Sequence, residues 1–189
     1  MNDRTQPDTP SLDPRGWQLP DGTAVRVRTL HAEDRPLEIA FIESLSQETR
    51  YFRLMTPLRY LSPELIGELM NVNDDDRTAL IATVDDNGKE KIIGVARYAR
   101  APGTVDAELG ITVADAWQHR GVASQLILRL GEYARQHGIE RFVGQVLPDN
   151  HRMLALARKL GFRVRLDPRS HLMHIEKDLR AHSSAHGST

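Results

Sequence analysis

Gln118-His119-Arg120-Gly121-Val122-Ala123 is the stretch of this chain with the plainest chemical meaning. It lies between a strand-like run and a helical one. Backbone N–H groups at a helix start have no intrahelical partner and carry partial positive charge, so they suit a diphosphate, and Gly121 lets a ligand approach the backbone closely. Arg120 adds charge. Upstream, Glu108 and Gly110 are two residues apart and so share one face of a strand. A six-residue match alone would serve equally well as a tight loop before a surface helix. The diphosphate reading rests on a wider order: a strand, this loop and its helix, a second strand ending at Asn150, and a helix closing on Lys159-Leu160-Gly161-Phe162.

The elements that must position these residues can be read from periodicity. Ala107, Leu109, Ile111 and Val113 alternate with Asp106, Glu108, Gly110 and Thr112, the pattern of a half-buried strand. From Val122 the apolar positions Leu126, Ile127, Leu130 and Ala134 mark an amphipathic helix that stops near Gly138. Arg141 to Leu147 reads as a strand, and Met153, Leu154, Ala157 and Leu160 form the apolar side of the next helix. Further upstream, Thr23 to Thr29 alternates as a strand after an Asp21-Gly22 turn. Two small helices follow, one over Glu33 to Leu45 and one opened by Ser62-Pro63. Ala79 to Val84 and Ile92 to Tyr98 are β-rich runs joined by the polar turn Asp86-Asn87-Gly88-Lys89. This alternation predicts an α/β (α+β) fold with a central sheet flanked by helices.

Composition narrows the function. With 189 residues, 40% hydrophobic and 27% charged, the chain suits one domain with a sizeable core. Its polar, proline-bearing start and its small, polar end predict tails over 1–16 and 180–189 around a domain at 17–179. No apolar run approaches a membrane span and the start has no signal-peptide core, which points to a cytoplasmic protein without a membrane partner. The absence of cysteine excludes a disulfide framework, a thiolate metal site and a cysteine nucleophile. A net charge of -1 gives no general electrostatic reason to bind nucleic acid. Asp74-Asp75-Asp76 reads as a solvated acidic loop rather than a cation site, and His171 and His174, three apart in a predicted closing strand, do not share a face. No metal is expected.

Over Val105 to Phe162 the chain resembles the GNAT superfamily of N-acetyltransferases, whose acyl-CoA signature runs Gln or Arg, two residues, Gly, one residue, Gly or Ala. The resemblance implies a mixed, mostly antiparallel sheet whose middle strands splay apart, with acetyl-CoA as the acyl donor lying between them. It also implies backbone contacts from Ile111, Thr112 and Val113 to the pantetheine arm. Gln118 begins the signature, and the amides of His119, Arg120, Gly121, Val122, Ala123 and Ser124 would hold the diphosphate, with Asn150, Met153 and Arg158 flanking the far side of the arm. Leu19-Pro20-Asp21-Gly22-Thr23, Glu33-Asp34 and Leu45 through Arg53 are similar to the acetyltransferase domain of bacterial protein lysine acetyltransferases. That narrower likeness implies a protein lysine acceptor and a catalytic glutamate at Glu108.

The chemistry of such a transfer explains the glutamate. A lysine amine has a pKa near 10.4, roughly 3.4 units above neutrality, so its deprotonated form costs about 4–5 kcal/mol, and a general base shares that cost. A structural ion pair of Glu108 with Arg97 or Arg100 across the sheet is the competing reading. Many GNAT enzymes place a tyrosine acid seven residues after the asparagine, where this chain has Ala157; a thiol with pKa near 8.5 leaves without a strong donor. A small-amine acetyltransferase and a non-catalytic acyl-CoA sensor are the alternatives.

Overall fold

The computed structural model describes residues 16–55, 60–72 and 76–180. Of the tails expected at 1–16 and 180–189, all but Gly16 and Arg180 lie outside the described residues, as do Asp74 and Asp75 of the acidic loop. Two short strands, β1 (Trp17–Gln18) and β2 (Ala24–Thr29), open the chain around the Asp21-Gly22 turn, where Gly22 takes a left-handed φ of 84°. Then come three helices, α1 (Arg35–Ser44), α2 (Gln47–Leu54) and α3 (Pro63–Leu69). The sequence reading has only two here. Ser46 ends α1's run and caps the next helix, its Oγ accepting the Thr49 amide at 3.1 Å, so the chain turns and restarts rather than continuing. On α2 Tyr51 lies exposed, whereas Phe52 is partly buried.

β3 (Arg77–Asp86) and β4 (Lys89–Arg100) form the long central hairpin. Its two-residue turn, Asn87-Gly88, has φ of 57° and 80°, the left-handed pair that matches strand twist. β5 (Asp106–Val113), α4 (Val122–Gln136), β6 (Arg141–Val146), α5 (His151–Lys159), β7 (Arg163–Leu166) and β8 (Met173–Asp178) complete the order. The eight-stranded sheet runs β1-β2-β3-β4-β5-β6-β8-β7, antiparallel throughout except for β5 beside β6. His171 falls in the turn before β8 with a φ of 58°, not in the strand, so it and His174 belong to different elements.

Both faces of the sheet are covered. On one, α4 buries Val122, Leu126, Leu130 and Ala134 against Leu80, Ile93, Leu109 and Phe142, the helical stripe meeting the strand alternation. On the other, Phe41, Ile42 and Leu45 from α1 and its end pack on Ile81 and Val95. Among the described residues no helix is long and apolar enough to cross a membrane.

Candidate active site

The site begins where two strands part. β5 and β6 pair only at Asp106–Arg141, Ala107–Phe142 and Glu108–Val143; beyond that β5 follows β4 to Val113 while β6 follows β8. Backbone direction along β5 is fixed at both ends: the Val105 carbonyl accepts from Glu140 on the β6 side, and the Ala114 amide donates to Ile93 on the β4 side. Peptide groups alternate with the same two-residue period as side chains. Ile111 and Val113 thus turn their backbone groups into the wedge between β5 and β6, and Thr112 turns its own toward β4. A wedge edged by unpaired peptide groups suits an extended amide-bearing chain, which can bond as a further strand would.

At the wedge's open end lies the start of α4. Ser46, Ser62 and Asn150 each cap their helices through a side chain, but α4 begins at Gly121 with no side-chain cap and no acidic residue in its first turn. His119 (φ 62°) and Gly121 (φ 85°) are both left-handed, which gathers successive amides into a concave surface. A Cβ on Gly121 would meet nothing within 4 Å, so the approach is open. These uncapped amides fit an anion.

The side chains of the signature do other things. Gln118 donates from Nε2 to the Val113 carbonyl at 3.1 Å and to Thr49 Oγ1 at 3.2 Å, and its Oε1 accepts from Arg152. Arg120 reaches Asp21 at 2.8 Å and lies over the Trp117 ring. Val122 is buried in the core, leaving its backbone alone for a ligand, while Ala123 and Ser124 are partly exposed. Asn150 Oδ1 takes the Met153 amide at 3.1 Å; Met153 packs partly buried against the core, and Arg158 is exposed. Ala157 is wholly buried and contributes no acid.

On the acceptor side, Glu108, Gly110 and Thr112 share the β5 face that α2 packs on. Glu108 is the last residue of β5 paired with β6, and its exposed side chain stands at the apex of the wedge. Neither arginine of the competing ion-pair reading engages it. Arg97 bonds Glu38 at 2.5 Å and the Leu69 carbonyl at 2.6 Å, and Arg100 bonds Asp76 at 2.6 Å.

Three groups near this face escape sequence reading. Glu38 is 1% exposed with its Oε2 unpartnered; burial pushes it up from the ordinary carboxylate range and Arg97 opposes that. Arg53, from α2, lies against Gly110. Asp115 accepts from the Ser46 amide at 2.9 Å, the Ser46 hydroxyl at 2.7 Å and the Thr49 hydroxyl at 2.7 Å. Burial pushes Asp115 up, and those bonds outweigh it to hold the carboxyl below its usual range. The available signals were a glutamate one turn ahead of Phe41 and Ile42 and a serine cap at Ser46; Arg53, on a short polar helix, carried none. Among the described residues no group of three His, Cys, Asp or Glu could hold a metal.

A splayed parallel pair inside an antiparallel sheet, followed by an uncapped glycine-led helix, defines the acyl-CoA-dependent acetyltransferase class. The profile of the acetyltransferase (GNAT) family matches residues 39–162, and this chain belongs to that family, whose members draw the acetyl group from acetyl-CoA. It is 33% identical over 150 residues to an acetyltransferase of Pseudomonas aeruginosa, covering 79% of this chain and 81% of that protein. The GNAT domain of S. lividans PAT superposes with a TM-score of 0.78 at 31% identity, over 86% of this chain and 95% of that one. Acetyltransferase Pat of Mycolicibacterium smegmatis is 32% identical over 117 residues, 61% of this chain and 34% of that protein. The N-acetyltransferase PaiA of Thermoplasma acidophilum, solved in complex with coenzyme A, shares the fold at 18% identity with a TM-score of 0.59 over 82% of this chain and 98% of that one.

Proposed function

We propose that this enzyme acetylates lysine side chains of proteins, with Glu108 as the general base. The observation that carries this is the free Glu108 carboxylate at the apex of the β5–β6 wedge, on the face turned away from α4. Acetyl-CoA supplies the acetyl group as a thioester. The amides from His119 to Ser124 hold its diphosphate, and the wedge-facing groups of Ile111 and Val113 align the arm, with Asn150, Met153 and Arg158 beyond it. Glu108 takes the proton of the acceptor amine, directly or through a water, as that amine attacks the carbonyl carbon and the thiolate departs.

The likeness to the GNAT domain of a protein acetyltransferase supports a protein acceptor. The charge beside Glu108 supports it too. A polyamine site needs an enclosed acidic pocket, whereas the cavity behind this face is about 20 Å³ and is lined by Arg50, Arg53 and Arg97 against the single carboxylate of Glu38. That is room for about one water.

The test is CoA release from acetyl-CoA with a panel of protein and small-amine acceptors, for the wild type and Glu108→Gln. Turnover on protein lysines should fall by about 10²–10⁴ in the variant while acetyl-CoA affinity is kept. Unchanged turnover removes Glu108 from the mechanism, turnover on small amines alone removes the protein acceptor, and binding without any turnover makes the protein a sensor.

A further inference from the structure

Arg53 is a charged group beside Glu108 that the transfer has not yet used, and Arg50, whose Nε is buried without a partner, lines the same cavity. A Cβ on Gly110 would stand 2.5 Å from Arg53 Nη2 and 2.8 Å from its Cζ, so the guanidinium occupies the notch which that glycine leaves. Gly110 is two residues from Glu108 on one face and lies directly across from Arg97 on β4. No hydrogen bond or ion pair among the described residues engages the Arg53 guanidinium. Burial, then the Arg97 charge, pushes it down to about 10, with Glu108 and Glu38 opposing. A partly desolvated guanidinium without an acceptor carries a cost that packing alone does not explain. Perturbed groups of this kind gather at functional sites.

The charges facing Arg53 are Glu38 from α1, Arg50 from its own helix, Arg97 from β4 and Glu108 from β5; α3 presents Leu65 and Leu69. Glu38 is taken by Arg97. Glu108 is therefore the free anion of the group, with Arg53 beside it.

The geometry points to Arg53 as a positioning residue for the transfer: seated in the Gly110 notch beside Glu108, it disfavours the ammonium form of the acceptor lysine and attracts the carboxylate that receives its proton. This deepens the reading of Glu108 as base and rests on it. A fixed cation near an amine favours the neutral, nucleophilic form, the same effect that activates lysines beside cationic groups. Removing the cation lets the bound amine keep its proton to higher pH. The acid limb of kcat should then move upward by about one pH unit, an approximately tenfold loss at neutral pH that shrinks toward alkaline pH.

The experiment measures kcat against pH for the full chain with a lysine peptide from the best protein acceptor of the panel, in wild type, Arg53→Gln, Arg53→Lys and Gly110→Ala. Arg53→Lys should hold the limb near its wild-type position. Gly110→Ala changes no titratable group, and its added methyl meets only the far end of a flexible side chain. It should displace the guanidinium and move the limb as Arg53→Gln does, with no further shift when the two are combined. Should Arg53→Gln fail to fold, the lysine and glycine variants carry the comparison. Equal losses at every pH, or an unmoved limb in Gly110→Ala, overturn the role of Arg53. Full turnover in Glu108→Gln overturns the base assignment, whereas an inactive Glu108→Gln with an unmoved limb in the other variants overturns the Arg53 inference alone.

Discussion

Gly94 sets the height of α4 above the sheet, and, on the proposal that the start of α4 holds the diphosphate, a single methyl there should weaken acetyl-CoA binding. It sits on β4 opposite Val113, with its open face toward the first turn of α4. A Cβ would come to 3.1 Å from Leu126 Cδ1, 3.2 Å from Val122 Cγ1 and 3.4 Å from the Thr112 carbonyl. Leu126 is 0% exposed, so it cannot swing into solvent, and α4 must rise by a few tenths of an ångström. Overpacking of this size costs about 1–3 kcal/mol, and the entropy that alanine removes from the unfolded chain returns about 0.4–1. Gly94→Ala should therefore lose about 1–2 kcal/mol, roughly 3–6 °C in Tm for a domain of this size. Because Val122 follows Gly121 directly, the shift reaches the uncapped amides, and acetyl-CoA should bind about three- to tenfold more weakly, each factor of ten being about 1.4 kcal/mol. Thermal unfolding and calorimetric titration with acetyl-CoA measure the two effects. Val122→Ala removes one of the two side-chain clashes, the one at 3.2 Å, so the double variant should be more stable than the sum of the singles by about 1 kcal/mol. Wild-type affinity and Tm in Gly94→Ala would refute the idea that this glycine seats the helix.

Two further outcomes concern the frame around the site. Arg97→Met should cost about 3–5 kcal/mol in urea unfolding, because it strands a carboxylate that is almost wholly buried, and Arg97→Met with Glu38→Leu should recover most of that; a loss under about 1 kcal/mol in the single variant contradicts a buried pair. Asp34, buried at the start of α1, accepts two hydrogen bonds from Arg28, at 2.6 and 2.7 Å, and that guanidinium, together with the His31 amide, holds its carboxyl below the ordinary 3.8. A depressed folded value stabilises above the unfolded one and is lost as pH falls through it, so the Tm gap between wild type and Asp34→Asn should be constant near neutrality and close below about pH 4. A gap that persists unchanged in acid would show that Asp34 contributes by shape and not by charge.

The parts of this molecule legible in its sequence are those where one period or one glycine decides the conformation. The alternation from Asp106 to Val113, the stripe from Val122 to Ala134 and the Asn87-Gly88 turn each fix an element locally, so the strand–helix–strand frame of the donor site follows from them. α2 escapes because it has no buried residue of its own and its eight residues carry four charges or amides. Nothing in its pattern separates it from α1 except the cap at Ser46. Arg53 and Glu38 escape for a related reason. A charged residue on a short helix reads as solvent-facing, and only the notch at Gly110 and the reach of Arg97 across the sheet turn these two inward. The partition of Ile111, Thr112 and Val113 between wedge and β4 needs strand register, which no single run of residues encodes.

Gln118, the first position of the signature, uses its side chain on groups of the protein itself. Its amide satisfies the Val113 carbonyl, the last wedge-facing acceptor of β5, so that edge is terminated where the loop begins. The same amide donates to Thr49 Oγ1, whose hydroxyl bonds Asp115, which in turn receives both the amide and the hydroxyl of Ser46. Ser46 is the cap of α2, and α2 carries Arg53 over Gly110. The loop before α4 and the start of α2 are thus one hydrogen-bonded unit, in which Ser46, Thr49 and Asp115 are short side chains with few rotamers to lose. Transfer requires a thioester and an amine within about 3–3.5 Å, and an error of about 1 Å between two independently mobile halves would cost about 10²-fold. A shared anchor removes that freedom: whatever moves the loop moves the helix with it, and the geometry at Glu108 is kept.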